Sequence, residues 1–220
     1  MNLHHKKRPL FITLEGGEGS GKTTQINKLA ERLTRENYKV ITTREPGGTP
    51  EGEKIRSLFV KGGTEKWSPL AEVLLVLAAR AMHVERVVNP ALDAGKVVVC
   101  DRFSDSTVAY QGYGRGVPLE KIERITQDVL GDLTPDVTFI LDIEPEVGLK
   151  RSTKRMARER NPDSQAEDRF EKMEFSFHQK VRNGFLEIAK REPDRCIIID
   201  AAGGTEKMAD DIWSALSKRL

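Results

Sequence analysis

Five short apolar runs recur along the chain: Leu10–Glu15, Lys39–Thr43, Lys96–Asp101, Val137–Ile143 and Arg195–Asp200. Three of them are near-continuous Val, Ile, Leu and Phe, the pattern of strands covered on both faces. Between the runs lie helical patterns at Gly21–Glu36, Pro50–Val60, Pro69–Leu92, Pro118–Leu130, Pro145–Arg155, Arg169–Arg191 and Thr205–Lys218. Pro50, Pro69, Pro118 and Pro145 stand near predicted helix starts, where a missing N–H does no harm. Strand and helix alternate without internal repeats. This predicts an α/β fold in three layers, a five-stranded parallel sheet flanked by helices, in one domain spanning residues 1–220.

Two stretches break the pattern. VLLVLAARAMHV, residues 73–84, is one of the most apolar in the chain, yet Arg80 sits inside it. Isolating a guanidinium in low dielectric is costly. Either Arg80 reaches water or an anion waits for it. The second stretch, RSTKRMARERNPDSQAEDR at about 151–169, is charged and almost free of apolar side chains, so it is expected to stay out of the core. It reads either as a solvated helix end and loop or as a mobile, arginine-bearing lid.

The 220 residues suffice for a full core, with 38% hydrophobic and 32% charged side chains. A net charge of +2 gives no general field for nucleic acid or a membrane surface. The basic start MNLHHKKRPL has no apolar signal core, and no apolar run approaches the ~20 residues of a membrane span. A cytoplasmic protein is expected, and His4 and His5 are read as a solvated tail. Cys100 and Cys196, both in strand-like runs, are expected as buried free thiols.

After the first run comes GGEGSGKT at residues 16–23, which fits G-x-x-x-x-G-K-[ST] between a strand and a helix. Glycines let backbone N–H groups close around phosphate oxygens, and the next helix adds its free N–H groups and positive dipole end. Gly16, Gly17, Glu18, Gly19, Ser20, Gly21, Lys22, Thr23 and Thr24 are therefore the expected ATP phosphate site. Lys22 would reach the β- and γ-phosphates, and the Thr23 hydroxyl would ligate Mg²⁺. Asp101 ends an apolar strand at the carboxyl edge and is expected to hold Mg²⁺ or its water shell. The only Asn-Lys pair, Asn27-Lys28, lies in the first helix and is followed by Leu-Ala, which argues against a GTPase. A short chain with a late charged insert suits a nucleoside monophosphate kinase, which needs an acceptor site and a lid that excludes water.

Further stretches are TREPGGT at 43–49, GEKIR at 52–56, AAR at 78–80, DRF at 101–103, STVAYQGYGR at 106–115, DRFE at 168–171 and VRNGF at 181–185. Together with the loop they resemble the thymidylate kinase family from Leu10 to about Asp200. The resemblance implies transfer of the ATP γ-phosphoryl to dTMP with Mg²⁺, giving dTDP and ADP without a covalent enzyme intermediate. It implies dTMP contacts from Glu45, Arg56, Val76, Arg80, Arg102, Thr107, Tyr110 and Gln111. Arg56 and Arg102 would bind the acceptor phosphate, and Tyr110 would crowd the sugar 2′ carbon. Glu18 would stand near the donor phosphate and metal, and catalysis would rest on Lys22, Arg102, Glu18 and a lid arginine. The family also implies a homodimer.

Two features depart from the family. Val76 stands where a phenylalanine usually stacks on thymine, so base preference is open to change. Gly19 stands where some members carry a catalytic arginine, which leaves the lid's Arg151, Arg155, Arg158 and Arg160. Arg155 is the first choice, although the sequence does not rank them. The turn at Ala201–Thr205 is a candidate adenine contact. The alternatives are another monophosphate or deoxynucleoside kinase with altered pyrimidine preference, or a silent nucleotide-binding protein.

Overall fold

The computed structural model of the protein describes residues 8–159 and 167–220. His4, His5 and Arg160 lie outside the described residues. Five parallel strands, β1 Phe11–Glu15, β2 Val40–Arg44, β3 Val97–Asp101, β4 Val137–Asp142 and β5 Cys196–Asp200, form one sheet in the order β2-β3-β1-β4-β5. The helices are α1 Lys22–Arg35, α2 Pro50–Val60, α3 Pro69–His83, α4 Asn89–Asp93, α5 Ser104–Thr107, α6 Leu119–Leu130, α7 Pro145–Glu159, α8 Phe175–Arg191 and α9 Thr205–Leu216. The predicted strands lie within two residues of the observed ones at either end.

Alternation along each strand builds two cores. Ile12, Leu14, Val97, Val99, Phe139 and Leu141 face α1 and α9, packing on Leu29, Leu33, Met208 and Ile212. On the other face, Phe11, Val98 and Cys100 pack on Val84, Val88 and Phe103. Ile140 and Cys196 pack there with Val181, Phe185 and Ile188 of α8. Side chains from successive strand positions enter opposite cores, as the pleat requires. Both cysteines are buried free thiols, as expected.

The predicted helix Pro69–Leu92 is not uniform. α3 runs to His83, then Val84–Val88 widens into a π-helical turn in which the Asn89 N–H bonds to the Val84 carbonyl. Pro90 follows; it has no N–H to donate and its ring crowds the carbonyl one turn back. α8 begins at Phe175 rather than Arg169, since residues 168–173 form turns in which the Lys172 N–H bonds to the Asp168 carbonyl and the Met173 N–H to the Phe170 carbonyl. α5 and the π-helical Val108–Gly114 after it are unpredicted elements. Gly112, Gly114 and two β-branched residues hide them in the sequence.

The charged stretch at 151–169 was expected to stay out of the core, and that expectation fails at both its ends. Ser152 and Arg169 are fully buried, and Arg169 is the largest fully buried side chain described. Its guanidinium is accommodated by carbonyls and a carboxylate rather than by water.

At the carboxyl edge, Leu14 of β1 lies beside Asp101 of β3. From there β1 leads toward β2 on one side and β3 leads toward β4 on the other. The chain therefore opens a crevice above this strand pair, where open α/β sheets bind ligands.

Candidate active site

The loop after β1 wraps back over the sheet edge. Lys22 Nζ donates to the carbonyls of Gly16 (3.2 Å) and Gly17 (3.1 Å). Burial, then Arg102, push the Lys22 ammonium below its ordinary pKa. Gly19 has φ +67°, and a Cβ there would meet the Gly148 carbonyl oxygen at 2.0 Å. A Cβ on Gly148 would in turn meet the Glu18 carbonyl oxygen at 2.3 Å. α7 thus rests directly on the phosphate loop through two glycines, and no side chain fits at position 19. An arginine is sterically barred from this loop position.

Thr23 Oγ1 donates to Asp101 Oδ2 at 3.3 Å, while Asp101 Oδ1 is buried with no partner. An unsatisfied buried carboxylate oxygen beside a hydroxyl suits a hard cation that takes its other ligands from phosphate and water, as Mg²⁺ does. Among the described residues no three His, Cys, Asp or Glu side chains converge to hold a metal unaided.

Arg102 follows Asp101 with φ +69°, a rare conformation for a residue with a side chain. Its guanidinium donates to Glu18 Oε1 (3.1 Å), Tyr110 Oη (2.9 Å) and Ser106 Oγ (3.1 Å), and lies 4.7 Å from the Tyr110 ring centroid. Tyr110 Oη donates to Glu18 Oε1 at 2.6 Å. Burial opposes the Glu18 charge, yet Arg102 and then Lys22 outweigh it and hold the carboxyl at about 2. Glu18 is therefore a fixed anion among cations, and this explains a carboxylate inside a phosphate loop.

The anion waiting for Arg80 is Glu45. Arg80 is 2% exposed and its Nε donates to Glu45 Oε2 at 2.5 Å. Its Nη2 donates to the Phe103 carbonyl (2.9 Å) and Thr107 Oγ1 (3.0 Å). His83 Nδ1 lies 2.8 Å from Glu45 Oε1, and His83 Nε2 lies 2.6 Å from Thr43 Oγ1. Arg80 Nη1 is left buried and unpartnered.

Lys22, Thr23, Glu18, Arg102, Tyr110, Glu45 and Arg80 line one cleft of about 1060 Å³, and Asp101 sits behind its wall against Thr23. Its volume tops the ~300–1,000 Å³ usual for a single small-molecule site. Glu18 to Thr24 line one part; Glu45, Arg56, Val76, Arg80, Arg102, Thr107, Tyr110 and Gln111 line the rest. The structure thus brings together the expected acceptor residues and most of the phosphate loop. Arg56 differs in detail: its Nη2 donates to Glu167 at 2.9 Å and its Nη1 to the Pro46 carbonyl at 3.3 Å, forming a tie across the cleft rim. Of the lid arginines, Arg155 lines the cleft, whereas Arg151 donates to the carbonyls of Ala201 (2.9 Å) and Ala202 (3.4 Å). The carbonyl groups of that candidate adenine turn are therefore partly engaged by α7.

The chain matches the thymidylate kinase family model over residues 14–212. It is 48% identical over 210 residues to the thymidylate kinase of Caulobacter vibrioides, covering 96% of this chain and 97% of the relative. A thymidylate kinase of a Synechococcus strain is 49% identical over 211 residues, with 96% of this chain and 97% of that one covered. The crystal structure of thymidylate kinase from Ehrlichia chaffeensis superposes with a TM-score of 0.74 at 36% identity, covering 95% of this chain and 99% of that one. The chain belongs to the thymidylate kinase family.

For a thymidylate kinase family member, several of the site's supports went unread in the sequence. Glu15 ends β1 fully buried and accepts from the Phe103 N–H (2.7 Å) and Ser106 Oγ (2.5 Å). Burial, then Asp105, raise its carboxyl from 4.5 to about 7. It anchors the loop that carries Arg102, and its position directly before the phosphate loop was the available signal. Glu72 is also fully buried, one and two helical turns before Val76 and Arg80. That i, i+4, i+8 spacing could have revealed it. Glu171 accepts from Ser152 Oγ at 3.0 Å, and burial, then Glu18, raise its pKa.

Proposed function

We propose that this cleft passes the γ-phosphoryl of ATP in line to the phosphate of dTMP, with no covalent enzyme intermediate. As a thymidylate kinase family enzyme, the protein phosphorylates dTMP to dTDP. The observation that carries the mechanistic reading is one cleft joining the phosphate loop to the buried Arg80–Glu45 pair. A dTMP phosphate oxygen forms the new bond to the γ-phosphorus as the bond to the β,γ-bridging oxygen breaks, and ADP leaves with that electron pair.

The protein's contribution is position and charge. The loop N–H groups and Lys22 bind the donor phosphates. Arg102, held by Glu18, Ser106 and Tyr110, and Arg56 at the rim bind the acceptor phosphate. Arg80 Nη1 and Gln111 address the base, Thr107 and Tyr110 the sugar side, and Arg155, which lines the cleft from α7, neutralises charge on the transferring group. Thr23 and Asp101 would hold Mg²⁺, which supplies charge neutralisation at the β- and γ-phosphates when bound. The bulky Tyr110, 6% exposed beside the cleft, favours a sugar without a 2′ hydroxyl.

We also propose a cytoplasmic homodimer acting on ATP and dTMP, with neither nucleic acid nor membrane as partner. Leu58 on α2 and Leu74 on α3 are 50% and 52% exposed, which supports a contact on these packed helices. No described helix is long and apolar enough to cross a membrane. Coupled ADP release with Mg-ATP and dTMP, dUMP, dCMP, dGMP, UMP or CMP tests the acceptor. Preference for dTMP is expected; equal use of ribose and deoxyribose acceptors would overturn the role given to Tyr110. Light scattering that gave a monomer mass at micromolar concentration would remove the dimer.

A further inference from the structure

Glu72 and Arg169 form an ion pair with both side chains 0% exposed, Nη2 to Oε1 at 2.5 Å. Arg169 also donates to the carbonyls of Gly63 (3.0 Å), Phe59 (3.3 Å) and Thr64 (2.8 Å). Its own N–H bonds to the Val60 carbonyl at 3.2 Å. Every nitrogen of the guanidinium is used. The pair therefore stitches the start of the DRFE stretch to the loop after α2 and to the first turn of α3. Arg115 adds a second cation, its Nε 3.4 Å from Glu72 Oε1.

Buried ion pairs contribute little net stability, and apolar side chains of similar volume often do as well. The pair's consequence lies in what Glu72 does with its other oxygen. Oε2 accepts from Gln111 Nε2 at 3.0 Å. A carboxylate has only acceptors to offer, so the nitrogen end of the Gln111 amide must face it. The carbonyl oxygen is then the end that Gln111 can offer as an acceptor to the cleft it lines. Arg80 lines the same cleft, and its buried Nη1 is a donor left without a partner. An acceptor and a donor together complement the imide edge of thymine, whose ring N–H donates and whose O4 accepts. Cytosine presents the reverse pattern, an accepting ring nitrogen and a donating amino group.

We propose that Glu72, clamped by Arg169, is a positioning residue that fixes the Gln111 amide orientation and thereby sets the preference for thymine over cytosine. This inference rests on reading the cleft as the dTMP site. In Glu72→Gln the new amide can donate or accept, so Gln111 is free to turn over.

The test compares kcat/KM for dTMP and dCMP in the wild type, Glu72→Gln, Gln111→Leu and the double variant. The dTMP/dCMP ratio falls at least about tenfold in Glu72→Gln while the KM for ATP stays within about twofold. In the Gln111→Leu background the same change moves the ratio less than about twofold, because the group Glu72 acts through is gone. Should Glu72→Gln not fold, Arg169→Lys keeps the charge but loses the fork, and a fall of about threefold or more is expected. An unchanged ratio in a folded variant, or an equal fall without Gln111, overturns the proposal. A wild type that does not prefer dTMP over dCMP overturns both this proposal and the reading beneath it; a selective wild type with an equally selective Glu72→Gln overturns this proposal alone.

Discussion

Glu45→Ala should be among the most destabilising single substitutions in the chain. Glu45 and Arg80 are each 3% exposed at the side chain, and His83 is wholly buried against the same carboxylate. Removing Glu45 leaves the Arg80 guanidinium in place with only the Phe103 carbonyl and Thr107 hydroxyl as partners, and two of its nitrogens unsatisfied. Breaking a buried pair in this way costs about 3–5 kcal/mol. Stranding His83 Nδ1 adds about 1 kcal/mol. At about 2–4 °C per kcal/mol for a chain of this size, Tm falls by about 8–24 °C. Thermal melts followed by circular dichroism measure this. Burial also makes the loss insensitive to added salt, unlike that of a surface pair. The pair Glu45→Leu with Arg80→Met removes both charges, and should recover to within about 2 kcal/mol of wild type, the residue being the stranded imidazole. It should nevertheless bind dTMP at least about tenfold more weakly, since the donor is gone. The reasoning fails if Glu45→Ala melts within about 3 °C of wild type. It fails equally if the double variant is no more stable than the single one.

Arg155→Ala should lower kcat by about 10²–10³-fold with the KM for ATP little changed, whereas Arg151→Ala and Arg158→Ala stay within about threefold; steady-state kinetics on the three separates them. Gly148→Ala, which in an ordinary helix interior would stabilise by about 1 kcal/mol, should here destabilise and weaken ATP binding, because the new Cβ meets the Glu18 carbonyl at 2.3 Å; a raised Tm with normal nucleotide titration would contradict the packing described. For Glu15, burial raises the folded carboxyl to about 7 from 4.5. Its proton is held more tightly in the folded state, so its contribution is full below about 4.5 and lost as pH rises through about 7, amounting to about 3 kcal/mol. Denaturant titrations from acid to neutral pH should show a shallower decline for Glu15→Gln than for wild type, and parallel profiles would refute the assignment.

The sheet and the glycine-rich loop after β1 were legible because each is written locally, as a periodic run or a fixed spacing, whereas the residues expected around the acceptor came from the family resemblance. What escaped is set by contacts distant in sequence. Arg169 looked like one more charge in a polar stretch, since nothing nearby shows that carbonyls of residues 59–64 and Glu72 surround it. Arg80 posed the right question, but its answer, Glu45, lies 35 residues away. The π-helical turns were hidden because an i→i+5 ladder has no periodicity that short apolar windows resolve. The phenylalanine missing at Val76 gained a context too: Val76 packs among Phe59, Tyr110 and Phe170, so this wall of the cleft is already aromatic.

The strand order also governs how the protein is made. β1 is the first strand to leave the ribosome, yet it occupies the middle of the sheet, and its partners are β3 and β4. Neither edge of FITLE can be paired until Asp101 and then Asp142 have been synthesised. At about 5–20 residues per second the first strand waits on the order of 6–25 s for its second neighbour. For that interval an apolar segment with at least one open edge, followed by an unassembled phosphate loop, is an aggregation hazard of the nascent chain. Two elements made in the meantime can cover its faces: α1 packs on the Ile12 and Leu14 side, and Val84 and Val88 pack on Phe11.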